Sequence, residues 1–162
     1  MIAYEEYYSI EELMIHYQKC NDMKMFLGSI DSKNARLCII TIRGNVNCKI
    51  AIANKYPIKP RCVKKNKLLF VGYNDQVDII SDKQLVASER EFCFYDLLDC
   101  NDKIIAIFEI GIICLTSDGS LLWRFDVGDI VSNFYVSGDV LCIETFEGVK
   151  MRINVSNGQL LK

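Results

Sequence analysis

At 162 residues, 51% of them hydrophobic, the chain is long enough to bury its own core as a single domain and too apolar to be disordered. Its formal charge of −2 gives no overall basic excess for nucleic acid. The acidic opening, Met1 to Glu6, is unlike a signal peptide, and the longest apolar stretch, Ile104 to Leu115, is broken by Glu109 and too short to span a bilayer. A soluble, cytoplasmic protein without a membrane partner is the expectation.

The first element is a helix over 10–20. Ser9 and Glu12 form a capping box, Tyr8 and Leu13 stand where a hydrophobic staple would pack, and Ile10, Leu13, Met14 and Tyr17 recur at helical spacing. Asn21-Asp22 ends it. From Lys24 onward the pattern changes to short runs rich in Ile, Val, Leu, Phe and Tyr, separated by turn signals such as Gly44-Asn45, Asn74-Asp75, Asp118-Gly119 and Asn157-Gly158. These runs predict strands at 24–30, 36–43, 46–53, 67–73, 77–81, 84–88, 92–97, 103–109, 111–116, 121–126, 130–136, 139–145, 149–155 and 158–161. The basic segment Lys59 to Lys67 reads as a solvated connection.

Within these runs lies a repeat. Lys67-Leu68-Leu69-Phe70-Val71, Lys103-Ile104-Ile105-Ala106-Ile107 and Asp139-Val140-Leu141-Cys142-Ile143 begin 36 residues apart. Each is followed by a second run and then by a similar turn: Ser81-Asp82-Lys83-Gln84-Leu85, Ser117-Asp118-Gly119-Ser120-Leu121 and Ser156-Asn157-Gly158-Gln159-Leu160. A degenerate earlier copy is expected at 36–63. Four short antiparallel strands in 36 residues is the size of a trimmed propeller blade. The segments Asp118 to Trp123 and Asn154 to Leu161 resemble the blade tails of PQQ-like and WD-like β-propellers, and this resemblance covers 67–162. It implies a fold and no bound quinone. The expectation is a mainly β chain: a small or partial propeller of about four antiparallel blades with one N-terminal helix. An antiparallel β-sandwich is the alternative. The strand at Lys24 to Ile30 is expected to pair with the last unit and close, or nearly close, the ring.

Cysteines stand at 20, 38, 48, 62, 93, 100, 114 and 142, with no C-x-x-C spacing and mostly inside apolar runs. They read as buried free thiols in a reducing compartment rather than as metal ligands or disulfides. The single histidine, His16, lies on the flank of the helical stripe with no catalytic partner in view. There is no phosphate-binding glycine loop. No enzyme activity, cofactor or metal is expected.

Charge is unevenly placed. Residues 1–67 hold 12 Lys/Arg against 6 Asp/Glu, and residues 68–162 hold 7 against 15. In a blade arrangement one rim carries Asp82, Asp99, Asp102, Asp118 and Asp139, and the opposite rim carries Asp75, Glu89, Glu91, Glu109, Asp126, Asp129 and Glu147. The first set is the candidate partner-binding rim, an acidic face for a basic protein. In overall character the chain is similar to the immunity proteins that bacteria pair with polymorphic or contact-dependent toxins. That resemblance implies neutralisation of a cognate nuclease toxin by occluding its basic active site, with no direct contact to nucleic acid. The alternative is a propeller-like scaffold or adaptor in an intracellular complex.

Overall fold

The structure is a computed structural model and describes residues 1–19, 23–30, 36–43, 48–82 and 84–162. The expected helix end at Asn21-Asp22, the Gly44-Asn45 break, the start of the 46–53 run and Lys83 lie outside the described residues.

Strand β1 (Ile2–Tyr7) leads into helix α1 (Ile10–Lys19), then β2 (Met23–Gly28), β3 (Arg36–Ile42) and β4 (Cys48–Asn54). These form a sheet of order β1-β3-β4-β2. The hydroxyl of Ser9 accepts from the N–H of Glu12 at 3.2 Å, and the Glu12 carboxylate accepts from the N–H of Tyr8 at 3.2 Å, so the helix start is capped as expected. The staple does not form. Tyr8 is fully exposed, whereas Leu13 is completely buried against Leu37, Ile39, Ala51 and Ala53 of the sheet.

The second sheet is β5 (Arg61–Lys65), β6 (Leu68–Tyr73), β7 (Gln76–Ser81) and β8 (Gln84–Arg90). The third is β9 (Phe94–Cys100), β10 (Lys103–Phe108), β11 (Gly111–Thr116) and β12 (Leu121–Asp126). The fourth has three strands, β13 (Val131–Ser137), β14 (Val140–Thr145) and β15 (Lys150–Asn154). In these three sheets every neighbouring pair is antiparallel and sequential. The repeated runs at 67, 103 and 139 form the second strand of each sheet. The central strands β10 and β11 are buried on both faces, which is why Lys103 to Leu115 is nearly continuous apolar sequence.

The sheets stack face on face. Ile40, Ile50 and Ile52 of the first meet Leu69, Val71 and Ile80 of the second. Phe70, Val77 and Ile79 then meet Phe94, Ile104 and Phe108 of the third, and Ile105, Ile107 and Trp123 meet Leu141, Ile143 and Ile153 of the fourth. The chain is therefore mainly β, with four sheets in propeller-like succession and no ring closure. Four stacked sheets also set it apart from a two-sheet sandwich.

Three expectations are corrected. Lys24 to Ile30 does not pair with the last unit: β2 runs parallel to β4 inside the first sheet. The reason is α1, since a helical crossover on one face of a sheet joins parallel strands. The same helix covers the face that a closing blade would need. Lys59 to Lys67 is not a loop, because its core is β5. The run at 158–161 is reduced to one bridge, Ile153 to Leu160.

Candidate functional site

Because each later sheet is an up-and-down meander, its turns fall alternately on two rims. The first rim holds the β7–β8, β9–β10, β11–β12 and β13–β14 turns, and with them Asp82, Asp99, Asp102, Asp118 and Asp139. Three of these come together. Asp99, Asp102 and Asp139 line a groove of about 470 Å3 between the third and fourth sheets, with Lys103, Leu97 and Val136. Asp82 and Asp118 lie on outer turns and do not line it.

Two of the three carboxylates of this groove already have cations. Lys65 pairs with Asp99 at 2.6 Å and Lys103 with Asp102 at 2.8 Å. The Lys103 ammonium holds the Asp102 carboxyl below its ordinary range, and Asp102 in turn raises Lys103. Arg61 adds a bond to Asp96 at 2.9 Å. The core of the basic segment is thus a strand laid beside β9, with Arg61 and Lys65 matched across the sheet boundary.

Asp118 holds its own turn. Its carboxylate accepts from the Thr116 hydroxyl and from the Ser120 N–H, and both bonds lower its pKa. Asn157 repeats the arrangement in the next unit, accepting from the Gln159 N–H at 3.0 Å. The repeated motif has a packing role as well. A Cβ at Gly119 would stand 3.1 Å from Ile79 and 3.2 Å from Leu68 of the preceding sheet. A Cβ at Gly158 would stand 2.7 Å from the Trp123 ring, again one sheet back. Each turn glycine therefore seats its sheet on the one before it.

The second rim is built differently. It holds the β6–β7, β10–β11 and β14–β15 turns and the β8–β9 and β12–β13 connections. The N–H of Glu109 donates to Cys93 O at 2.8 Å, Val131 N–H to Glu109 O at 2.7 Å, and Phe146 N–H to Ile130 O at 2.7 Å. With the Phe94 N–H bond to Asn74 O at 2.7 Å, these backbone bonds tie the second, third and fourth sheets along one edge. Phe92, Ile110, Ile130, Phe146 and Val149 all stand exposed on it, Phe146 at 80% and Phe92 at 50%. Nothing in the sequence distinguishes these from buried apolar residues, so sequence reasoning passes over them.

Carboxylates surround these side chains. Asp75 is bound by Lys55, by the Tyr56 hydroxyl at 2.8 Å and by the Cys93 N–H at 3.1 Å, and Glu89 is paired with Arg124. Glu91, Glu109, Asp126, Asp129 and Glu147 take part in no ion pair among the described residues. Asp129 accepts from the N–H groups of Ile130 and Glu147, which fixes the neighbouring loops to each other and lowers its pKa.

Several other reactive groups are held in the core. Burial pushes the Cys38, Cys62 and Cys114 thiols up to about 12, so they are poor nucleophiles near neutral pH. Asp78 is buried and accepts from the Tyr73 hydroxyl at 2.6 Å and from Gln76 at 2.9 Å. His16 is exposed on α1, 5.1 Å from the Tyr7 ring between centroids. Among the described residues no group of three or more His, Cys, Asp or Glu is placed to hold a metal, and no helix is long and apolar enough to cross a membrane.

No protein-family model and no curated protein matches the sequence. Solved structures do match in fold. The computationally designed Ika8 protein aligns with a TM-score of 0.54 and 9% identity, over 83% of this chain and 46% of that one. The designed Ika4 protein aligns at 0.53 and 10% identity, over 66% and 72%. BamB from Moraxella catarrhalis, a β-propeller, aligns at 0.52 and 11% identity, over 88% of this chain and 50% of its own. The chain thus spans about half the length of BamB and of Ika8, and at these identities the likeness is one of propeller-like fold alone.

Proposed function

We propose that this chain is a non-catalytic protein-binding domain that engages a basic partner. The observation that supports this reading is the second rim, where large exposed apolar side chains sit on backbone-pinned turns beside carboxylates with no internal cation. Soluble proteins seldom group exposed apolar side chains without a partner to cover them. Pinned turns lower the ordering cost of binding, and unpaired carboxylates steer a cationic surface.

The narrower form of the proposal is an immunity protein that neutralises a nuclease toxin by filling its basic, substrate-binding cleft. The acidic balance of 68–162 supports it, since such a cleft is shaped to accept polyanions. Affinity capture of the tagged chain from its native cells, followed by mass spectrometry, tests both forms. A single stoichiometric basic protein that arrests growth when expressed alone, and is silenced by co-expression of this chain, supports the immunity form. A stoichiometric basic partner without toxicity removes that form and leaves an adaptor. The absence of any stoichiometric protein partner overturns the proposal.

A further inference from the structure

Resting on the protein-binding reading, we infer that the docking surface is the second rim, and that its occupant is an amphipathic, cationic segment of a partner protein anchored on Phe146. Phe146 is the most exposed large side chain of the rim and stands on a turn held from several directions. Its N–H donates to Ile130 O at 2.7 Å. Thr145 and Val149 close the turn at 3.0 Å, and the buried Thr145 hydroxyl accepts from the Val149 N–H at 3.2 Å. An aromatic ring presented on so fixed a backbone loses little freedom on binding, which is the character of an interface anchor.

The row continues away from Phe146. Ile130 is bonded to it directly, Val131 N–H reaches Glu109 O, and Glu109 N–H reaches Cys93 O beside Phe92. Apolar contact is therefore offered along a line that crosses three sheets, suited to one face of an extended or helical segment. Glu91, Glu109, Asp126, Asp129 and Glu147 flank that line, which calls for Lys or Arg on the segment's other faces. On the first rim the two carboxylates nearest its basic strand, Asp99 and Asp102, are already paired with Lys65 and Lys103.

The test is selection of a displayed library of random 20-residue peptides against the whole chain. The expected result is enrichment of sequences that place large apolar residues on one face and Lys or Arg on the others. Selected peptides are expected to lose at least tenfold in affinity against Phe146→Ser and against Glu147→Lys, and to bind Asp102→Asn unchanged. Both rim residues are exposed, so the variants should melt as the parent does. Peptides that keep their affinity for Phe146→Ser and lose it for Asp102→Asn place the site on the first rim; they overturn this inference and leave the protein-binding reading standing. Enriched peptides without basic residues overturn the cationic assignment. Failure to enrich any peptide above the bare support overturns both the inference and the reading beneath it.

Discussion

Single residues set both the seating of the sheets and the pH response. Gly158 has φ +72° and lies against the Trp123 ring, so Gly158→Ala adds a methyl to a left-handed backbone in a space already filled. We expect a loss of about 1–3 kcal/mol, read from urea unfolding followed by the fluorescence of Trp123, the only tryptophan. Asp75, the partly buried one of the depressed carboxylates, contributes to the pH response. Burial would raise its carboxyl, but Lys55, the Tyr56 hydroxyl and the Cys93 N–H together bring it below its ordinary 3.8. A depressed folded pKa contributes stability that is present above the unfolded value and is lost as pH falls through the folded one. Asp75→Asn is therefore expected to be less stable than the parent at pH 7. The gap should close as pH falls below about 4, measured as the urea midpoint against pH.

At the scale of elements, the helix and the strands announced by turn signals were readable because local chemistry alone demands them: Ser9 and Glu12 cap α1, and Asn74-Asp75 and Asp118-Gly119 turn their hairpins. Two strands were not readable. In β1 the pair Glu5-Glu6, and in β5 the residues Arg61, Lys64 and Lys65, make the sequence look solvated. The structure satisfies part of that charge across neighbouring strands, through Arg36 to Glu6, Arg61 to Asp96 and Lys65 to Asp99. Such pairing is long-range information that no local pattern carries. The rims could be assigned from strand alternation, yet which carboxylates stay unpaired depends on those distant partners. The helix itself was legible in position and not in purpose. Its role follows from Leu13, completely buried on the outer face of the first sheet. Leu13→Ala is expected to cost about 2–5 kcal/mol, whereas Tyr8→Ala should change the thermal midpoint little, since Tyr8 touches no core.

Taken whole, the molecule is a stack rather than a ring. One end is covered by α1. On the fourth sheet, β14 and β15 turn Glu144, Lys150 and Arg152 outward, opposite Ile143, Met151 and Ile153. A ring gives every blade two neighbours, but here the fourth sheet has one. Held by its two ends and stretched, such a chain has a built-in weak link: the fourth sheet should tear away first, while the three behind it still carry load. An optical-tweezers trace is expected to open with a step of at most roughly 110 Å, the reach of residues 131–162 at about 3.4 Å each, before the larger rupture of the remaining stack.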